Sequence, residues 1–402
     1  MKTLETMPTT RRELLPGLFL PALLLVACSG GDRLPAPPAE LRERVEAVGM
    51  PGVRSRGSDL SALEDDFLAS VDRERAALAA AGHTGPLPPA NFLALSGGGD
   101  KGAFGVGLLV GWTARGTRPE FKLVTGISTG ALIAPFAFLG PKYDDQLREI
   151  YTNISEKDIA DKRFPLTAIF EDAMADNAPL WELTRKTVTD SMLADIATEY
   201  RKGRLLLIGT TDLDDMYPVV WNIGKIAASG DPNALHLVQS LMIASASIPG
   251  AFPPVLVDVE VDGQRYQEMH VDGGTAAQVF VYPASIRLDS VAKAHGIERQ
   301  RTLYVIRNAR LDADWMQVDR KVISIAGRSI AALIQRQGRG DLFRIHSLAL
   351  RDHVDFNLAY IPPTFNAPHP GNFDTEFMRA LYAVGYDLGS KGDPWVKAPP
   401  GY

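Results

Sequence analysis

The chain has 402 residues, 46% of them hydrophobic and 22% charged, with a formal net charge of −6 and one cysteine. This composition suits one large α/β domain with extensions, or two to three domain-sized units, and excludes a fibre, a disordered chain or a polytopic membrane protein. An acidic balance without a basic run argues against nucleic acid as a partner and gives no overall steering toward anionic lipid, and a single cysteine excludes disulfides within the chain.

The chain begins as a targeting segment. Lys2, Arg11 and Arg12 precede an apolar stretch from Leu14 to Ala27 that is too short to span a bilayer. Leu25-Val26-Ala27-Cys28 resembles the bacterial lipobox, whose cysteine is acylated after cleavage, and Thr10 to Leu15 resembles a twin-arginine export signal. Residues 1–28 are therefore expected to be a lipoprotein signal peptide, with Cys28 the lipidation site and membrane attachment through its acyl chains. Ser29 after Cys28 implies an outer-membrane location in the bacterial envelope.

Residues 29–90 read as a tether followed by a helical extension. Ser29 to Pro38 is small and proline-bearing, and Ala39 to Ala81 alternates charge with Leu60, Leu63, Phe67, Leu68, Val71 and Leu78, the spacing of one or two amphipathic helices. Gly85-Pro86-Leu87-Pro88-Pro89 then closes the extension.

Beyond it, strands and helices alternate. Strands are expected at Asn91 to Ser96, Phe121 to Thr125, Arg204 to Thr210, Pro218 to Ile223, Val255 to Val261 and Thr302 to Asn308. Helices are expected up to Trp112, from Ala131 to Phe138, and from Leu235 to Ser247. After Trp315 the chain is mostly helical, with an extended piece at Val354 to Ile361 and a last helix near Asp374 to Leu388. The fold class is α/β, a largely parallel central sheet with helices on both faces and helical extensions at both ends.

Two glycine-framed turns carry the chemistry. Gly97-Gly98-Gly99-Asp100-Lys101-Gly102 follows the first strand, and Gly126-Ile127-Ser128-Thr129-Gly130 follows the second. The second has the form of a nucleophile elbow, in which flanking glycines allow a sharp strand-to-helix bend that exposes the serine. The first offers backbone N–H groups at a helix N-terminus, where an oxyanion is favoured, with Lys101 adding a positive charge. In the helix that follows it, each of Gly105, Gly107 and Gly111 costs about 1 kcal/mol relative to alanine, so a close approach of backbone or ligand is expected there. Pro135 within the next helix predicts a kink.

Gly97, Gly99 and Gly102 also satisfy GxGxxG, but a dinucleotide site needs an acid at the end of the second strand, where this chain runs into Gly126-Ile127-Ser128. No Gly-Lys-Ser/Thr completes a P-loop. Asp212, Asp214 and Asp215 have no histidine or second acidic group nearby and read as a solvated loop. No cofactor or metal is expected.

A serine nucleophile needs a base. None of the seven histidines, His83, His236, His270, His295, His346, His353 and His369, sits in a motif, whereas Val271-Asp272-Gly273-Gly274 places a carboxylate at a two-glycine turn. Together with Ala244-Ser245-Ala246-Ser247-Ile248-Pro249-Gly250-Ala251-Phe252-Pro253-Pro254, these elements resemble the patatin-like phospholipase family over about residues 91–290. The resemblance implies a Ser–Asp dyad working without histidine, with Ser128 as nucleophile, Asp272 as base, Gly126 and Gly130 framing the elbow, and Gly97, Gly98, Gly99, Lys101 and Gly102 forming the oxyanion hole. It implies a lipid or other acyl ester as substrate. Ser96 stands where the family usually has Asp, and Lys101 where it often has Arg; neither removes a backbone donor. The proline-rich loop Ile248 to Pro254 reads chiefly as a rigid turn into the next strand.

The expected organisation is thus a signal peptide (1–28), a tether and helical extension (29–90), a patatin-like catalytic domain (91–290) and a C-terminal strand with a mostly helical extension (291–402). Two rival functions are an α/β-hydrolase-type carboxylesterase with a Ser-His-Asp triad and a non-catalytic, lipid-binding envelope lipoprotein.

Overall fold

Strands covered on both faces need apolar residues at successive positions, and the runs that end at Leu95, Gly126 and Ile208 have that character. The computed structural model describes residues 33–56, 61–162, 173, 175–312 and 315–402. The expected signal peptide, its Cys28 and the first residues of the tether lie outside the described residues.

In chain order the strands are β1 (Glu46–Ala47), β2 (Arg54–Arg56), β3 (Ala90–Leu95), β4 (Leu123–Gly126), β5 (Asp161–Lys162), β6 (Ala175–Asp176), β7 (Leu205–Asp212), β8 (Tyr217–Asn222), β9 (Val255–Val261), β10 (Gln264–Asp272), β11 (Arg301–Arg307) and β12 (Asp355–Tyr360). The helices are α1 (Ser61–Ala80), α2 (Gly102–Ala114), α3 (Thr129–Leu139), α4 (Asp144–Asn153), α5 (Ala178–Thr187), α6 (Asp190–Arg201), α7 (Ile223–Ala228), α8 (Ala234–Ala246), α9 (Leu288–Ala294), α10 (Val322–Arg351) and α11 (Thr375–Lys391). Apart from the small β5–β6 ladder, the strands form one ten-stranded sheet.

At its centre β7, β4, β3, β11 and β12 lie side by side and parallel. Beyond β7 the sheet turns antiparallel through β10, β9 and β1, while β8 and β2 continue from the other edge of β7. Along one edge, β7 has two successive neighbours. Residues Leu205 to Ile208 pair with β4, whose last residue Gly126 lies opposite Ile208, and Thr210 to Asp212 pair with β10, whose last residue Asp272 lies opposite Thr210. Two strands running in opposite directions thus end beside Gly209.

The strand alternation divides the core. Leu93 and Leu95 face one hydrophobic cluster with Phe104, Leu108, Ile133 and Met242, and Phe92 and Ala94 face the other with Leu63, Leu342 and Ile345. Helices α2, α3, α8 and α11 supply the first face, α1 and α10 the second.

Two glycines of α2 are explained by backbone contact, and Gly105 by the Asn308 side chain, which a Cβ would meet at 2.5 Å. A Cβ on Gly107 or Gly111 would meet the carbonyls of Tyr382 and Tyr386 at 2.1 and 2.3 Å, and one on Gly385 or Gly389 would meet those of Phe104 and Leu108 at 2.2 and 2.4 Å. Helices α2 and α11 therefore pack at a separation that glycine on both sides permits. Pro135 is buried inside α3, which runs on to Leu139.

Two expectations are corrected. The segment Ala39 to Ala81 is not helical throughout: a 3₁₀ turn (Ala39–Arg44) and α1 are separated by β1 and β2. Arg54 and Arg56 join the sheet and are buried in ion pairs, whereas Arg42 and Arg44 stay exposed. Asp212 likewise is not in a solvated loop but ends a buried strand. Arg56 donates to Asp212 (2.9 Å), Asp215 (2.5 Å) and Glu268 (2.9 Å), and Arg54 donates twice to Glu268 (2.7 and 3.1 Å). Burial alone would raise the Glu268 carboxyl, but the hydrogen bonds from His270 and Arg54 and the Arg54 charge hold it well below the usual range. Asp212 is pushed up by burial and by the Glu268 charge, against the pull of Arg56.

Candidate active site

Ser128 forms the corner between β4 and α3, with φ 54° and ψ −127°, a strained conformation for a residue with a side chain. The flanking glycines are required by space. A Cβ on Gly126 would lie 2.4 Å from the Gly130 carbonyl oxygen, and one on Gly130 would lie 2.3 Å from that of Leu95. The Ser128 N–H donates to Ser245 Oγ (3.0 Å), which donates to the Gly209 carbonyl (2.7 Å), so the corner is fastened to β7 by a side chain of α8.

At the end of β10, Asp272 faces this corner. Ser128 Oγ donates to Asp272 Oδ2 at 2.6 Å, and the Gly274 N–H donates to the other carboxylate oxygen at 2.6 Å. The Asp272 backbone is held on both sides, its N–H donating to the Ser247 carbonyl (2.9 Å) and its carbonyl accepting from Thr211 Oγ1 (3.1 Å). Burial pushes the carboxyl up to about 6, against the hydrogen bonds from Ser128 and Gly274 that favour its ionised form. Among the described residues no histidine hydrogen-bonds to either group. His270, two residues away, is turned to Thr210 (2.9 Å) and Glu268 (3.1 Å).

The glycine turn lies beside Ser128, and a Cβ on Gly97 would approach the Ser128 Cβ to 3.2 Å. Its N–H groups are not equally free. That of Gly97 donates to the Gln278 carbonyl (3.0 Å), that of Lys101 to the Gly98 carbonyl (3.2 Å) and that of Gly102 to the Gly99 carbonyl. Among the described residues, no protein acceptor takes the N–H groups of Gly98, Gly99, Asp100 or, at the start of α3, Thr129. The N–H groups of Gly97, Lys101 and Gly102 are thus engaged within the protein, and those of Gly98 and Gly99 are the ones on the glycine turn itself without a protein acceptor. Gly102 has a steric role: its Cβ would lie 2.3 Å from Thr129 Oγ1.

Several supporting residues were assigned no role by the sequence. Ser96 Oγ accepts from the Asn308 N–H (2.8 Å) and donates to the Gly97 carbonyl (2.7 Å), while the Asn308 side chain bridges the Ser96 carbonyl and the Gly105 N–H. Asp100 accepts from His369 Nε2 (2.7 Å) and the Phe373 N–H (2.9 Å), tying the segment before α11 to the glycine turn. Gln278 closes the Asp272 turn by donating to the Gly274 carbonyl (2.8 Å).

Ser128 and Gly99 line a cavity whose space, counted with the solvent it opens to, is about 750 Å³. Its walls are Leu, Ile, Phe, Met and Ala side chains of α3, α4, α5 and α8, with three threonines and Tyr151, and no charged residue lines it. The loop after α8 contributes Ile248 and Phe252, so it shapes this cavity as well as turning the chain into β9. Among the described residues, no cluster of His, Cys, Asp or Glu is arranged to hold a metal.

Residues 93–285 match the family model of patatin-like phospholipases. That segment is a patatin-like phospholipase domain. Solved structures similar to the chain include VipD from Legionella pneumophila, 13% identical with a TM-score of 0.36 over 75% of this chain and 66% of that one. Another is human GIVD cytosolic phospholipase A2, 11% identical with a TM-score of 0.36 over 79% of this chain and 55% of that one. The chain thus spans less than two thirds of the length of either. No curated protein sequence matches it. The patatin-like domain runs from inside β3 to just past the Asp272 turn, and so contains both glycine turns, Ser245 and Asp272.

Proposed function

We propose that the patatin-like domain hydrolyses ester-linked acyl chains of lipids through a Ser128–Asp272 dyad. The observation that carries this reading is the 2.6 Å hydrogen bond from Ser128, which lines a cavity with no charged residue in its wall, to the buried carboxylate of Asp272. An apolar cavity without charge suits a fatty acyl chain and leaves a polar headgroup outside.

In the acylation step, Asp272 takes the proton of Ser128 as Oγ attacks the ester carbonyl. The N–H groups of Gly98 and Gly99 hold the resulting oxyanion, helped by the N-terminal end of α2. The tetrahedral intermediate collapses, and the leaving alcohol receives the proton from Asp272. Water then enters, gives its proton to Asp272 and attacks the acyl-serine, and the proton returns to Ser128 as the fatty acid leaves. Tethering through an acylated Cys28 at the outer membrane would keep such an enzyme at its substrate, and labelled palmitate incorporated by the wild-type chain but not by Cys28→Ser tests that part. Incubating the purified protein with defined phospholipids, lysophospholipids and neutral lipids, and identifying the released species, tests the activity. Release of fatty acid supports it, and intact lipid throughout removes it.

A further inference from the structure

Helix α10 is longer than the sheet it covers. Its 30 residues extend about 45 Å at 1.5 Å per residue, whereas the six-residue β12 that follows it spans about 20 Å. The excess lies at the helix's N-terminal end. Gly338, Asp341, Leu342 and Ile345 are buried against the sheet, while residues 322 and 324 to 337 are exposed or half-exposed. This free half rises from the active-site side of the fold. At its foot Gln337 donates to the Ala276 carbonyl (2.6 Å), and Gly338 packs on Arg307, whose guanidinium reaches the Gly97 carbonyl (3.5 Å).

The free half is apolar where water would favour polar groups. Val322 (84% exposed), Ala326, Ile330 (51%), Leu333 (69%) and Ile334 recur at i, i+4, i+8, i+11 and i+12, one face of a helix. Trp315 (88% exposed) and Met316 precede it. Charge is segregated as well. Within residues 312–339, Arg320, Lys321, Arg328, Arg336 and Arg339 outnumber Asp312, Asp314 and Asp319, in a chain whose formal net charge is −6. An apolar stripe flanked by cations and preceded by an exposed tryptophan is the composition of a helix that lies in a membrane interface. No helix among the described residues is long and apolar enough to cross a membrane.

We infer that the N-terminal half of α10, with Trp315 and Met316, docks the protein onto the surface of an anionic bilayer, inserting Val322, Ile330 and Leu333 among the acyl chains while the cations meet lipid headgroups. The overall negative charge denies the protein general attraction to such a surface, and the local segregation supplies it at one place, next to the Asp272 turn. The inference draws its purpose from the lipid-hydrolase reading, but the docking is measured without catalysis.

The experiment uses the full chain carrying Cys28→Ser and Ser128→Ala, so that neither the proposed anchor nor turnover contributes. Adding Leu333→Cys to this chain leaves one thiol for an environment-sensitive fluorophore. Vesicles of phosphatidylglycerol should shift its emission to the blue, spin-labelled lipid should quench it, and raising the salt from 0.1 to 0.5 M should weaken the effect severalfold, with little response to phosphatidylcholine. Replacing Val322 and Ile330 together by Glu should reduce the partition of the labelled helix at least tenfold. The same pair in the chain with Ser128 intact should leave hydrolysis of a soluble short-chain ester unchanged, which separates loss of docking from loss of folding. A fluorophore that stays aqueous on both kinds of vesicle overturns the inference, as does a blue shift without lipid accompanied by a doubled mass, which would assign the helix face to a second copy of the chain.

Discussion

Ser128 and Asp272, 144 residues apart in sequence, share a 2.6 Å hydrogen bond because their strands end head to head along a single edge of β7. β4 brings Ser128 in from one direction, β10 brings Asp272 in from the other, and Gly209 lies between the last pairs. There is no room for a side chain at that point: a Cβ on Gly209 would lie 2.5 Å from Ile127 Cδ1, and one on Gly273 would lie 2.4 Å from the Gly209 carbonyl oxygen. The Ser128–Asp272 hydrogen bond is thus a property of sheet topology, and with the proposed mechanism it fixes what substitutions should do.

Asp272→Asn removes the proposed base and keeps the shape. Ester hydrolysis should fall by at least a thousandfold, on the scale of losing a catalytic group. Stability should move the other way. Burial raises the Asp272 carboxyl from 3.8 to about 6, which corresponds to about 3 kcal/mol of differential cost for the charged form at neutral pH. Denaturant titration at pH 8 should therefore find Asp272→Asn more stable than the parent by up to about that amount.

The same shift sets the pH dependence. Asp272 must be ionised to accept the Ser128 proton, so kcat/KM should drop as pH falls through about 6. The sign for folding is opposite: with the folded value above the unfolded one, the carboxyl's destabilising contribution fades as pH falls from above 6 toward 4. A rate profile and a stability profile measured on one preparation should bend in opposite directions over that window.

The glycine turn separates space from strain. Gly98→Ala would place a Cβ 2.2 Å from the Asn308 carbonyl oxygen, so backbone must move and the oxyanion donors with it; kcat should fall by about 10²–10³ with folding largely retained. Gly99→Ala meets open space but keeps φ at +59°, and should cost about 1–2 kcal/mol in stability with a smaller loss of rate. Steady-state kinetics and thermal unfolding of the pair distinguish the two effects.

Much of this was legible before the structure. Both strand–turn–helix units, Ser128 and Asp272 were marked by glycine at positions where a side chain cannot fit, and β9 falls at Val255–Val261 as read. Strand β10 was not legible, because its buried positions include Glu268 and His270, whose burial depends on Arg54 and Arg56 some two hundred residues earlier. Strand β2 was hidden for the same reason from the other side of the ion pairs. Asn308 carries no motif signal and Ser96 was read only as a departure from one, since their role is a mutual hydrogen bond between the ends of β3 and β11. Which N–H groups are free depends on the register of Gln278 against Gly97, which no local pattern encodes.

The ion pairs at β2 should therefore matter to a distant site. Arg56→Met leaves Asp212 and part of Glu268 buried without their cation, at a cost of about 3–5 kcal/mol. Because Glu268 is held below its usual range, the stability it contributes is present above about pH 4.5 and is lost as pH falls below it. Acid unfolding of the parent and of Arg56→Met, followed by circular dichroism, should show the variant unfolding at higher pH.

Chain-length selection should follow the cavity wall. Ala246, at the end of α8, lines the cavity, and Ala246→Trp fills part of it. Hydrolysis of long-chain esters should fall at least tenfold relative to that of acetate or butyrate esters, and a parallel loss on all chain lengths would place the acyl chain elsewhere.

The most direct measurement of the dyad is the site of acyl-enzyme formation. A fluorophosphonate or a slow acyl ester should modify Ser128 in intact-mass and peptide mapping, at a rate that rises with pH through about 6, is abolished in Asp272→Asn and survives replacement of each of the seven histidines by alanine. Modification at another residue, undiminished labelling in Asp272→Asn, or loss of labelling with any single histidine would contradict a Ser128–Asp272 dyad.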